Sequence, residues 1–441
     1  MRIMTLLLLL SALSVCADYE FTNLIKSGEN NLWTLNPAAF QQATKGKADF
    51  FYGDKSQTKF RYARSNKRGT LTFGGLNVYE ALIEFDKQKI SGVTLSIFNR
   101  GDGGFWSRDN LKNAVEKITS VFNELYPEIK PVDETAKVGR VNSELRTWDT
   151  ANGFYQLRWS ISGSGKKSFC EYLTMTISQE KPGSTLQIVK TEISSPEELK
   201  NRIKKDDNGL CHLEIPMVDQ GKKGYCVVAV LERILQYYGS EFDQHQLAQL
   251  AKTSVQGTSM DNMLDAVKKV DGKLGIRMNQ LYINKSYSRP HDFQIMIKDY
   301  NRAAKKVNAK RLTMQKYITN HNRSTSYNVS AFFNDLDGKV FIESRVNSER
   351  RNFTKFQQDI EKHINEGTPL VWCVILGLIP EKNTPQVAGA HMRLITGYNP
   401  KTTEISYSDS WGYGHELKTM NIGVAWAMTT SLSSITPRIN N

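Results

Sequence analysis

Three features of the 441-residue sequence predict an α+β protein of two domains. The length left after an apolar leader is more than one hydrophobic core usually serves. The first half mixes period-two runs with one striped helix. The second half starts on a helix that is apolar on most sides and closes on short strand-like runs.

The leader comes first. Arg2 supplies a positive start, Leu6 to Leu10 dominate an apolar run, and Val15-Cys16-Ala17 places small residues around a cut after Ala17. Residues 1–17 are therefore expected to be a signal peptide, and the mature chain secreted or periplasmic. The alternatives are a membrane anchor, for which the run is short, and a lipoprotein site at Cys16, which Val15 disfavours. No later stretch is apolar for long enough to span a bilayer, so no transmembrane anchor is expected after leader removal.

Residues 18–193 are expected to form an N-terminal α+β domain. Ala81–Phe85 and Val93–Phe98 alternate as strands, and a glycine-rich turn follows. Ser107 can cap a helix whose stripe is Leu111, Val115, Ile118, Phe122 and Leu125. Phe154–Ile161 and Phe169–Ile177 read as a hairpin-like pair. Arg100-Gly101-Asp102 reads as a turn rather than an adhesion motif. Residues 194–210 are expected to be a linker, with a short helix from Pro196 to about Lys205 and a breaker cluster at Asp206–Gly209. A second domain over 211–430 opens on a helix, Tyr225–Tyr238, ended by Gly239. A helix over 261–270, a basic insertion at about 285–355 with helical patches near 293–307, and a helix over 353–364 follow. Strands are expected at 370–376, 392–396 and 405–407, and a tail at 431–441.

Net charge is +13, and residues 285–355 hold fifteen Lys/Arg against six Asp/Glu. Such a surface suits an anionic surface or acidic substrate. A solvated charged insertion is the plainer reading, and no aromatic–basic motif points to nucleic acid. Four cysteines follow the leader: Cys170, Cys211, Cys226 and Cys373. If Cys226 is a free thiolate, the other three allow at most one disulfide, and their pairing is open. No Cys/His spacing suits zinc.

A thiol nucleophile needs a depressed pKa, a base and a pocket for developing charge. Cys226 sits where the loop Gln220-Gly221-Lys222-Lys223-Gly224-Tyr225 becomes a helix, so the helix N-terminus favours thiolate. The Cys226 N–H and the Gln220 amide can serve as oxyanion donors, and Gly224 leaves room for a substrate backbone. His391, after Ala388-Gly389-Ala390, is the candidate base, with His415 and His212 as alternatives. Asp409 can orient it, with Asn399 as the alternative, and Trp411 can shield the pair.

This pattern, Gln220, Cys226, His391 and Asp409-Ser410-Trp411-Gly412, resembles the papain-like cysteine peptidases. Gly224-Tyr225-Cys226-Val227 and the run from His391 to Asn399 look more like the bacterial branch that includes the bacteriocin-processing, double-glycine-leader peptidases. The resemblance covers about residues 211–430. It implies a catalytic helix packed on an antiparallel sheet, thiolate–imidazolium chemistry through an acyl-enzyme, a peptide or protein substrate, and no metal or cofactor. Val227 departs from the bulky aromatic common after the papain cysteine, and no transporter domain accompanies the chain. An amidase or acyltransferase on the same fold, and a non-enzymatic exported binding protein, are the competing readings.

Overall fold

Apolar side chains sort into two separate cores. The computed structural model describes residues 18–439 apart from 27–31, 54–56, 65–69, 139–140, 182–192, 194, 222–223, 241–243, 256, 259–261, 263–264, 266, 269–273, 322–323, 383 and 385–388. The expected signal peptide, most of the expected 261–270 helix, and Ala388 lie outside the described residues. The first unit comprises 18–99, 105–135 and 144–183; the second comprises 100–104, 136–143 and the chain from 184 on.

The first unit is built on an eight-stranded sheet. Its strands are β1 (Phe50–Tyr52), β2 (Lys59–Ala63), β3 (Glu80–Asp86), β4 (Lys89–Asn99), β5 (Val132–Val138), β6 (Val141–Thr150), β7 (Gly153–Ser162) and β8 (Phe169–Ser178). They lie in the order β1-β2-β3-β4-β8-β7-β6-β5. Helix α1 (Arg108–Leu125) starts where expected: Ser107 caps it, and Asn110 closes a reciprocal capping box. Its buried face is Leu111, Ala114, Val115, Ile118 and Phe122, and Phe122 stacks on Trp148 at 4.3 Å.

The second unit sets helices against a mixed-length antiparallel sheet. After α2 (Pro196–Lys200), the sheet strands are β9 (Ile203–Lys205), β10 (Cys211–Leu213), β11 (Ile276–Ile283), β12 (Leu370–Leu376), β13 (Gly389–Asn399), β14 (Glu404–Ser408), β15 (Lys418–Asn421) and β16 (Thr429–Pro437). Their order is β9-β10-β13-β12-β16-β11, with β14 also on β13 and β15 on β14. Helix α3 (Cys226–Tyr237) packs on β13, burying Val227, Val228, Val230, Leu231, Ile234 and Leu235. Gly239, at φ +76°, ends it in the left-handed region. A shorter helix, α4 (Gln244–Leu250), follows.

Three expectations are corrected here. Residues 194–210 are not merely a linker: the helix stops at Lys200, and β9 pairs with β10 inside the sheet. Residues 285–355 are not a solvated insertion. They form α5 (Pro290–Lys306), α6 (Val329–Asp335) and α7 (Gly338–Ser348), leading into α8 (Arg350–Asn365). Phe293, Phe332, Phe333 and Phe341 are buried in contact with one another, each stabilising the core by about 1.5–3 kcal/mol. Lys298, Arg302, Lys305 and Lys306 of α5 lie on its outer face, and composition averaged over both faces hid the stripe. The tail expected from 431 is β16, which is bordered by β12 and β11 on its two sides. Its sequence, Thr-Thr-Ser-Leu-Ser-Ser-Ile, carries buried hydroxyls instead of an apolar run. The helix α9 (Ile422–Met428) leads into it.

Candidate active site

Cys226 is the first residue of α3, and the preceding Tyr225 makes no side-chain capping bond. The leading N–H groups of the helix are thus not claimed by a cap. The loop before it is shaped by Gly221, at φ +69°, whose N–H donates to Asp219 Oδ1 at 2.8 Å. Cys170, Cys211, Cys226 and Cys373 are free thiols; Cys226 is partly exposed, and the other three are buried.

His391 lies on β13, opposite Val374 of β12. Its ring and the Cys226 thiol line the same pocket and interact electrostatically. On the other side, Nε2 donates to Asp409 Oδ1 at 3.1 Å. Trp411 stacks on the imidazole at 4.3 Å and 10°. Asp409 follows β14 and is fully buried, with its N–H donating to the His415 carbonyl at 3.1 Å.

The electrostatics follow from these contacts. Burial pushes the Cys226 thiol up, but the bond and charge of His391, with the N–H groups of Met392 and Val227, outweigh it and bring the thiol below its usual value. Burial lowers His391, while bonds to Asp409 and Cys226 raise it on balance. Burial raises Asp409, yet His391, His415 and Arg393 hold it far below the usual carboxylate range. A thiolate beside an imidazolium, oriented by a carboxylate, is the state these shifts favour.

Residues 214–298 match the model of the Peptidase C39 family. The chain carries a papain-like cysteine peptidase domain. The matched segment contains Gln220 and Cys226 and ends before His391 and Asp409. Among solved structures, the peptidase domain of Streptococcus ComA, a bi-functional ABC transporter involved in a quorum sensing pathway, aligns with 50% of this chain and 97% of that one. Identity is 16% and the TM-score 0.24. No curated protein matches.

Within the peptidase domain, Gln220 is buried and its N–H donates to the Ser410 carbonyl at 2.8 Å, so the loop before Cys226 runs beside the turn that carries Asp409. Gly412, at φ +77°, belongs to that turn, and a Cβ there would meet Asp219 Oδ2 at 2.8 Å. Gly224 is crossed by the turn at Gly257, whose Cβ position is 3.3 Å from the Gly224 carbonyl. The alternatives fall elsewhere. His212 stands opposite Gly397, six residues along β13 from His391 and so roughly 20 Å away. Asn399 accepts from the N–H groups of Lys401 and Thr402, building the turn after β13. His415 does approach: its Nδ1 is 3.9 Å from Asp409 Oδ2, on the side away from the thiol's base.

Charged residues outside the sequence motif complete the site. Arg393 Nε donates to Asp409 Oδ1 at 2.7 Å, and Lys418 Nζ to Oδ2 at 3.4 Å. Arg233, buried on α3, donates to the Asp409 carbonyl at 3.0 Å and to Ser408 Oγ at 2.5 Å. One signal existed: Arg393 is two residues past His391 on a strand and therefore shares its face. A pocket of about 550 Å³ opens beside the thiol, with Ile283, Tyr287, Val329 and Ile375 among its walls alongside Cys226 and His391. Among the described residues no group of three or more His, Cys, Asp or Glu is placed to hold a metal ion.

Proposed function

We propose that the chain is an exported cysteine peptidase in which Cys226 is the nucleophile, His391 its base and Asp409 the residue that orients the base. The observation that carries this reading is the continuous relay from the α3 N-terminus, through the His391 ring, to buried Asp409. The thiolate attacks the peptide carbonyl, forming a C–S bond. The oxyanion is met by the Cys226 N–H and the Gln220 amide. His391 gives its proton to the leaving amine as the C–N bond breaks. Water, deprotonated by His391, then attacks the thioester, releasing the acid and restoring the thiol. Trp411 covers one face of the imidazole and keeps water from the His391–Asp409 bond.

Substrate side chains enter the 550 Å³ pocket beside the thiol. Lys298, Arg302, Lys305 and Lys306 are exposed on α5, and they favour acidic segments or an anionic surface outside the pocket. Residues 1–17 act as the leader that exports the chain. Mass-spectrometric profiling of a peptide library with wild type and Cys226→Ser, at low and high salt, tests this. Cleavage lost in the variant, with an acidic preference that weakens in salt, is expected. Cleavage retained by the variant refutes the nucleophile.

A further inference from the structure

Asp409 has more nitrogen partners, two of them permanent cations, than an orienting carboxylate requires. Oδ1 is shared by His391 Nε2, at 3.1 Å, and Arg393 Nε, at 2.7 Å. Oδ2 has Lys418 Nζ at 3.4 Å and His415 Nδ1 at 3.9 Å. Arg393 is fully buried, and Glu381 grips its far side, with Oε2 3.0 Å from one terminal nitrogen and Oε1 3.3 Å from the other. Glu381 is fixed in turn by the Tyr407 hydroxyl, which donates to Oε2 at 2.6 Å. The guanidinium also lies over the Tyr407 ring at 4.7 Å and the Trp372 ring at 5.7 Å. A buried guanidinium held at both ends in this way has no freedom to leave Asp409.

We propose that Arg393, clamped by Glu381, is a positioning residue of the proposed relay: it shares Asp409 Oδ1 with His391 and sets the pH window in which thiolate and imidazolium coexist. The proposal rests on the Cys226–His391–Asp409 assignment. Two effects follow from the geometry. The carboxylate cannot turn away from His391, because its two oxygens are held by Arg393 and Lys418. The guanidinium charge also opposes a full positive charge on His391 and supports the thiolate, so the relay ionises at lower pH than Asp409 alone would dictate. The groups facing the pair are Cys226 and Arg233 from α3, Arg393 from β13, Glu381 from the loop after β12, Tyr407 from β14, Asp219 beneath Gly412, His415 and Glu416 from the turn after Asp409, and Lys418 from β15. Arg393 and Lys418 are permanent cations bonded to the carboxylate, and Glu381 is the second anion on Arg393, beside Asp409 itself.

The charges make opposite predictions, which separates tuning from mere support. Removing a cation raises both ionisations of the thiol–imidazole pair; removing Glu381's charge lowers both. The test follows the rate of Cys226 labelling by iodoacetamide against pH, mapped by peptide mass spectrometry, in Arg393→Met, Arg393→Lys, Lys418→Gln and Glu381→Gln. For Arg393→Met both inflections should move up by on the order of 1 pH unit, the size expected for one charge at this range screened by its partner. Lys418→Gln should move them the same way by less, and Arg393→Lys should recover most of the wild-type profile. Glu381→Gln should move them down. If Arg393→Met does not fold, the opposed shifts of Lys418→Gln and Glu381→Gln decide. Unmoved inflections, or shifts of one sign in both, overturn the Arg393 role while a His391-dependent wild-type profile leaves the relay standing. Slow wild-type labelling that His391→Ala does not change refutes the relay and the Arg393 role together.

Discussion

Asp409→Asn should destabilise the peptidase domain as well as impair the chemistry. The carboxylate is fully buried and is the shared counter-ion of His391, Arg393 and Lys418. Removing one partner of a buried ion pair costs about 3–5 kcal/mol. The asparagine can still accept one hydrogen bond, so the lower end, about 3 kcal/mol, is expected at pH 6. The pH dependence has a definite sign. His391 is raised above its ordinary value by Asp409, so its protonation stabilises the fold fully below about pH 6.5 and ceases to do so as pH rises through the raised value. Asp409 itself stays ionised throughout this range, since its contribution is lost only as pH falls below about 4. The deficit of the variant should therefore be larger at pH 6 than at pH 9, where the Arg393 and Lys418 pairs remain. The assay is urea-dependent alkylation of Cys211 and Cys373, buried in the second unit, in a Cys226→Ala background. With a slope of about 2 kcal/mol per molar urea, the midpoint should fall by roughly 1.5 M. A loss under about 1 kcal/mol, or a deficit that grows toward pH 9, refutes the reasoning.

Other outcomes follow from single contacts. Gln220→Ala should lower turnover by about 10²–10³ with thermal stability nearly unchanged, because the bond from Gln220 to Ser410 is made by its backbone N–H, which the substitution keeps; a large drop in melting temperature would make Gln220 structural. Trp411→Ala uncovers the face of His391 that is stacked at 4.3 Å and should slow Cys226 labelling at pH 6 by on the order of tenfold, the effect of about one pKa unit; unchanged labelling would remove its shielding role. Phe332→Ala should cost about 3–5 kcal/mol in the urea assay, since Phe332 meets Phe293, Phe333 and Phe341 in the core; a cost below about 1 kcal/mol would return 285–355 to a peripheral role. The proposed export predicts a mature chain that begins at Asp18, read by N-terminal sequencing; retention of Met1 would contradict export by cleavage.

The residues of the proposed relay were legible in the sequence, while the charged groups around them were not. Cys226 announced itself through a glycine-rich loop running into an apolar helix, and His391 and Asp409 through short strands bordered by small residues. These are local patterns, and the structure brings the three side chains to one place. Arg233, Glu381, Arg393 and Lys418 carry no such mark, because a charged residue reads as surface unless its distant partner is known. Glu381 and Arg393 are twelve residues apart, and Arg233 and Asp409 are 176. The same limit applied to fold. β16 was missed because its buried residues are Thr429, Ser431, Ser433 and Ser434 as much as Leu432 and Ile435, whose hydroxyls erase the apolar signal. Within 285–355 a helix was legible near 293–307, where α5 lies, whereas α6 and α7 were not, because their apolar stripe of Phe332, Phe333, Val340 and Phe341 is short and broken by polar residues.

The most direct measurement is the rate of Cys226 alkylation by iodoacetamide at pH 6, in wild type and His391→Ala. An ordinary thiol with a pKa near 8.5 is only about 0.3% ionised there. A thiolate held by His391 should react at least tenfold faster than that background, and His391→Ala should return it to background. Equal, slow rates in both proteins would contradict the thiolate–imidazolium pair at the centre of the account.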